Sequence, residues 1–354
     1  MQFEAIDVSN VRSFSKAQLL AEPGLNLVYG RNGSGKTSLL EAINLLSRAR
    51  SFRTGKLNDV IRHGEDRLQV TANVVTDEHQ RIVSGFERKA RETRIRFGGV
   101  DIFQVSEQVR NLPVLVLTPE SQGLLSGTPK ERRRWLDWTM FHVEPGYLQA
   151  WSDYQKSLRH RNQLIRNHAG ENEFVPWEHR LSDTAARIQA LCAETVHSLQ
   201  AGLQAELPFV LEGEVETRYC PGWCQDEPLE QALAKSRPSD INTGYTRCGP
   251  HRADVDFRFQ GESAAKVLSR GQAKLYMVAL LLAQSGLIRE KTGKNPVVLI
   301  DDVFAELDSG ARERLSKRLA DMNIQCFITS TDSDMQEYCS ARFHVEQGCI
   351  EKQN

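Results

Sequence analysis

Residues Gly30-Arg31-Asn32-Gly33-Ser34-Gly35-Lys36-Thr37 follow the pattern G-x-x-x-x-G-K-[ST]. Glycines at this spacing let successive backbone N–H groups converge on phosphate oxygens at the start of a helix, where the dipole favours negative charge. In such a loop the Lys36 ammonium reaches the β- and γ-phosphates and the Thr37 hydroxyl ligates magnesium. A second group lies far downstream, where PVVLIDD at 296–302 is an apolar run that ends in two carboxylates. Asp301, at the end of a rigid buried strand, is the natural partner of that magnesium, and Asp302 is placed to orient or deprotonate an attacking water. Adjacent acids also cap turns, and both roles can coexist. The third group is LSRGQ at 268–272: Ser269 precedes an apolar helix, with Arg270, Gly271 and Gln272 at its start. It reads either as an ordinary helix cap or as a second anion site.

Particular elements must hold these groups. LNLVYG at 25–30 is a short apolar run that stops at glycine, and Leu39, Ile43 and Leu46 then recur at helical spacing, which predicts strand, loop and helix. Short alternating runs between about 68 and 118 predict a strand-rich extension. Helical patterns fill 130–205, too short and irregular for a long coiled coil. KLYMVALLLAQSGLI reads as a buried helix, PVVLI as a central strand of a parallel sheet, and NIQCFITSTD as another apolar strand ending in small polar residues. Alternation of this kind predicts an α/β fold with a doubly wound sheet and a mainly helical second lobe. The expected organisation is 1–125 for the first part of a nucleotide-binding lobe, 126–210 for a helical insertion, and 211–354 for the rest of the lobe.

The chain has 354 residues, 40% hydrophobic and 26% charged, which excludes disordered and fibrous classes. No run approaches the roughly 20 apolar residues of a membrane span, and the N-terminus lacks the basic-then-apolar build of a secretion signal, so the expected location is cytoplasmic. Seven scattered cysteines agree with a reducing compartment. Cys220, Cys224, Cys248 and His251 fall close together, although their spacing departs from the usual zinc pairs. Net charge is −1, yet Arg48, Arg50 and Arg53 cluster in SRARSFRTGK and Arg132, Arg133 and Arg134 in PKERRRWLD. Such clusters are either solvated faces or the phosphate-tracking surface of a DNA-binding protein.

GRNGSGKT, LSRGQ ahead of VVLIDDVFAELD, and the closing FITSTD together resemble the ABC-type P-loop ATPase heads of chromosome-maintenance and DNA-repair proteins. RARSFRTG, TPKERRRWLDW, TRCGPHRAD and the lack of a long coiled coil are similar to the RecF family of recombination mediators. That resemblance spans essentially the whole chain. It implies ATP and Mg2+ as ligands, DNA as a partner, a head-to-head homodimer closed by ATP, a RecR-like mediator, recombinase loading at gaps and SOS induction. It also implies that Ser269, Arg270, Gly271 and Gln272 cap the nucleotide held by the other subunit, with Asp308 at the seam and Thr329–Thr331 at the switch. There are departures. Arg270 replaces a glycine of the transporter form LSGGQ, Asp302 stands where many ABC ATPases carry glutamate, and the switch position has no histidine. The shorter Asp302 implies slow hydrolysis. Glu120 is the nearest candidate for the magnesium-contacting position before the insertion. The alternative, a nucleotide-binding subunit of an ABC transporter, fits the motifs formally. A GTPase or small-molecule kinase would leave LSRGQ unexplained and lacks N-K-x-D.

Overall fold

The computed structural model describes residues 1–333 and 336–353. It divides into two compact units, one formed by Met1–Ser121, Glu206–Glu212 and Arg270–Asn354, the other by Gln122–Ala205 and Gly213–Ser269.

The first unit has two six-stranded sheets. In one, the strands run in the order Cys349–Gln353, Ala341–Glu346, Leu25–Tyr29, Cys326–Ser330, Val297–Ile300, Val114–Leu117, parallel except for the terminal hairpin. Val297–Ile300 and Cys326–Ser330 are buried at every position. Continuous apolar strands need cover on both faces, and this sheet supplies it. The other sheet is antiparallel. Its strand Arg67–Val75 alternates buried and open positions, so one face meets the core and one meets water.

Helix Lys36–Arg48 joins both sheets. Leu39, Leu40, Ala42, Ile43, Leu45 and Leu46 are all fully buried, in one core with Phe3, Ile6, Val70 and Phe86 of the antiparallel sheet and Val28, Leu299, Phe327 and Phe343 of the parallel one. Its polar residues Thr37, Glu41, Asn44 and Arg48 fall on one stripe, and Glu41 and Asn44 are buried there with hydrogen-bond partners in Arg12 and the Arg50 carbonyl. It stops at Ala49, whose left-handed φ of 48° lets its N–H return to the Leu45 carbonyl at 3.0 Å. Helix Arg270–Thr292 is buried from Lys274 to Ser285, as its composition led us to expect.

The second unit contains helices Pro129–Val143, Tyr147–Arg166, Glu171–Glu206 and Leu229–Thr243, and a three-stranded antiparallel sheet ordered Glu262–Ser263, Asp254–Phe259, Val215–Cys220. Thr128 and Glu131 form a capping box ahead of Pro129, with the Thr128 N–H donating to Glu131 at 2.8 Å. Arg161 is fully buried between Glu178 at 3.1 Å and Asp240 at 2.8 Å. Two carboxylates around one guanidinium leave no buried charge without a partner.

Residues 213–269 therefore depart from the expected organisation, which gave 211–354 to the nucleotide-binding lobe. Strand Asp254–Phe259 packs on helix Pro129–Val143 through an Arg132–Asp254 ion pair at 2.6 Å and an edge-on Trp135–Phe257 contact at 5.6 Å. These contacts tie the segment to the helical unit and add a sheet to it.

A candidate nucleotide site

Three parallel strands deliver the site. Leu25–Tyr29 ends at Gly30, Val297–Ile300 ends at Asp301, and Cys326–Ser330 carries Thr329 between them. Gly30, Gly33 and Gly35 adopt φ values of 150°, 80° and 120°. Only glycine tolerates this run comfortably. At Gly30 a Cβ would also stand 2.3 Å from the Val345 carbonyl oxygen. Helix Lys36–Arg48 begins where the loop ends, so its first N–H groups face the anion side.

Lys36 is buried and donates to the carbonyls of Gly30 at 2.7 Å and Arg31 at 3.0 Å. Burial lowers its pKa, with Asp302 and Asp301 opposing that shift. The Thr37 hydroxyl donates to both carboxylate oxygens of Asp301, at 3.1 and 3.0 Å. Thr329, fully buried, donates to Asp301 at 2.7 Å and accepts from the Asp302 N–H at 2.8 Å. Burial raises the pKa of Asp301; the bonds from Thr329 and Thr37 pull it back, and the charges of Asp302 and Glu120 raise it further. Asp302 itself holds a left-handed φ of 49°, a conformation that non-glycine residues keep where surrounding contacts impose it.

A cavity of about 460 Å3 opens over these groups, lined by Asn32, Gly33, Gly35, Lys36 and Thr37, by Asp301, Asp302 and Thr329, and by Arg12, Ser13 and Arg53. Its volume falls within the usual range for small-molecule sites. A threonine hydroxyl beside a carboxylate is a hard oxygen set that suits magnesium.

Ser269, Arg270, Gly271 and Gln272 do not line this cavity. Arg270 opens the long buried helix, and Gly271 lies against the turn that follows Asp302: a Cβ there would approach the Glu306 carbonyl oxygen to 3.1 Å. Lys274 donates to the Ala305 carbonyl and pairs with Glu306 at 3.4 Å, and Asp308 caps helix Ser309–Asp321 by accepting from the Ala311 N–H at 2.8 Å. Of the arginine clusters, Arg48 is turned inward, donating to the Val114 carbonyl at 3.0 Å, and burial lowers its pKa to about 9. Arg132 is bidentate on Asp254 and Arg133 donates to the Ala253 carbonyl at 2.7 Å, whereas Arg50, Arg53 and Arg134 are exposed. His251 uses both ring nitrogens, with the Tyr154 hydroxyl at 2.7 Å and the Thr246 carbonyl at 2.9 Å, and no metal-binding cluster is found among the described residues. Sequence reasoning missed Arg12 as a wall of the cavity; its position depends on the turn between the first two strands rather than on any motif.

A family model described as the RecF/RecN/SMC N terminal domain matches residues 2–351. The chain is 35% identical to the DNA replication and repair protein RecF of Shewanella woodyi (strain ATCC 51908 / MS32), over 99% of this chain and 98% of that protein. The chain belongs to the RecF family. The RecF protein of Pseudomonas putida (strain GB-1) is 37% identical over 99% of this chain and 98% of its own. Among solved structures, a recombination mediator protein RecF bound to ATP, described as part of the RecFOR pathway, superposes with a TM-score of 0.85 at 27% identity, covering 99% of this chain and 97% of that one. An Smc head domain of Pyrococcus furiosus, at 13% identity and a TM-score of 0.63 over 99% of this chain and 95% of its own, shares the fold. The α/β ATPase-head architecture read from the RecF resemblance is thus the observed one. No helix among the described residues is long and apolar enough to cross a membrane.

Proposed function

We propose that this protein is an ATP-controlled DNA-binding protein of replication and recombinational repair. The observation that carries the reading is the Thr37–Asp301–Thr329–Asp302 network at the mouth of the phosphate loop. ATP binds with its phosphates along Gly30–Thr37, and Lys36 leaves the loop carbonyls for the β- and γ-phosphates. Thr37 and Asp301 would hold Mg2+, which would supply charge neutralisation at the phosphates. Asp302, positioned through its backbone by Thr329, orients the attacking water and accepts its proton. A carboxylate one methylene shorter than glutamate reaches that water less well, so hydrolysis is slow.

Ser269, Arg270, Gly271 and Gln272 cap the γ-phosphate held by a second copy, so ATP closes a head-to-head homodimer. DNA and ATP then favour the same closed state and are thermodynamically coupled. Of the arginines named above, exposed Arg50 and Arg134 are the ones we assign to DNA, because Arg48, Arg132 and Arg133 are committed within the fold and exposed Arg53 lines the phosphate-loop cavity. A RecR-like mediator, recombinase loading at gaps, SOS induction and a cytoplasmic location complete the reading, as the RecF resemblance in the sequence implies. Full-length similarity to RecF leaves no observation to favour a transporter subunit.

The test is the steady-state ATPase rate with and without DNA, using Lys36→Met as the blank. We expect a slow rate that DNA stimulates severalfold and that the variant loses. A rate equal in the variant would overturn the assignment of the phosphate loop.

A further inference from the structure

Glu41 lies one turn beyond Thr37 in the phosphate-loop helix and is fully buried. A carboxylate in that position must be compensated. Arg12, from the turn after the first strand, binds it with two parallel bonds of 2.9 Å from Nε and NH2. The Ser51 hydroxyl donates to it as well, and the same hydroxyl accepts from the backbone N–H groups of Arg53 at 2.9 Å and Thr54 at 3.0 Å. The Arg53 guanidinium stands 3.8 Å from the other carboxylate oxygen. One buried carboxylate thus fixes both the side chain of Arg12 and the backbone that carries Arg53. Arg12 and Arg53 both line the phosphate-loop cavity with Lys36.

We propose that Glu41 is a positioning residue that sets Arg12 and Arg53 against the cavity, so that they bind the polyphosphate of the nucleotide together with Lys36. This rests on the nucleotide-binding reading above. The electrostatics favour it. The cavity wall carries cationic Arg12, Lys36 and Arg53 against anionic Asp301 and Asp302, so without the two arginines the lining would be net negative where a polyanion must enter. Arg53 is the cation free to reorient. It is 45% exposed and its contact with Glu41 is long, so a phosphate can take it at little cost. Arg12 is held more firmly, since its NH1 also donates to the Asp59 carbonyl at 2.6 Å.

The experiment is calorimetric titration of Mg2+ and ATP, and separately ADP, into the full chain carrying Glu41→Gln, Ser51→Ala, Arg53→Ala, or Ser51→Ala with Arg53→Ala, and into Lys36→Met. We expect Ser51→Ala to weaken ATP binding about fivefold while thermal stability stays near that of the parent, and Glu41→Gln to weaken it about tenfold or more. The Ser51→Ala effect should largely vanish in the Arg53→Ala background, since Ser51 acts through Arg53; additive losses would mean that it does not, and would overturn the proposal. ATP affinity unchanged in Ser51→Ala and Glu41→Gln would overturn it too. Should Glu41→Gln not fold, Ser51→Ala with its Arg53 cycle decides the question. If the parent chain binds no ATP, the nucleotide reading itself falls; if the parent binds and Lys36→Met does not, a null result at Glu41 and Ser51 removes only this inference.

Discussion

Asp301 ionises at a disadvantage, because burial raises its pKa more than the hydroxyls of Thr329 and Thr37 lower it. A carboxyl whose folded pKa lies above its unfolded value favours the fold below the unfolded pKa, and that contribution is lost as pH rises through the folded one. At neutral pH the charged form therefore weakens the nucleotide-free protein, a tension common where a site is built for a ligand rather than for stability. Asp301→Asn should accordingly raise Tm at pH 7 in the presence of EDTA and weaken Mg2+-dependent ATP binding by at least tenfold. Calorimetric scanning and titration check the two halves, and a lower Tm would contradict the electrostatic account. At this scale the phosphate loop and the Asp301–Asp302 pair were legible because their chemistry sits in contiguous residues. The Arg12–Glu41 pair was not, because it joins a turn to a helix interior that share no motif. Thr329 was legible only within the Thr329–Thr331 span that the RecF resemblance marked, and its burial between Asp301 and Asp302 singles it out.

Between elements, hydrogen bonds decide what a charge cluster can do. Arg132, Arg133 and Arg134 are consecutive on helix Pro129–Val143, and neighbours on a helix point about 100° apart, so they cannot share one surface. The sequence displays the cluster but not the helix phase, which turns Arg132 onto Asp254 and leaves Arg134 exposed. His251 shows the same logic in a buried setting. It links helix Tyr147–Arg166, through Tyr154, to the Thr246 carbonyl, and burial lowers its pKa from 6.5 to about 4. A base with a depressed folded pKa stabilises the fold above its unfolded pKa, and that stability is lost as pH falls through the folded one. The second unit should therefore lose on the order of 2–3 kcal/mol between neutrality and pH 4 from this group, at about 1.4 kcal/mol per unit. Urea unfolding followed by hydrogen exchange of that unit at pH 7 and pH 5 would read it; His251→Gln should flatten the dependence, and an unchanged slope would show that His251 is not the titrating group.

For the whole molecule, the sheet, the helix behind the phosphate loop and the order of the motifs could be read directly, since strands buried on both faces announce themselves as apolar runs. The division of the chain could not. Strand Val215–Cys220 pairs with Asp254–Phe259, and that strand packs on a helix more than a hundred residues earlier, a long-range choice that local periodicity does not encode. The proposed dimer also belongs to this scale, with nucleotide on the phosphate loop of one copy capped by LSRGQ of another. Sedimentation velocity with Mg2+ and a slowly hydrolysed ATP analogue tests it most directly. The protein should pass from its 40.0 kDa monomer to twice that mass. Lys36→Met and Ser269→Arg should each remain monomeric, and an equal mixture of the two should recover partial dimer through one intact composite site. A parent chain that binds the analogue yet stays monomeric, or a Ser269→Arg variant that dimerises as well as the parent, would contradict it.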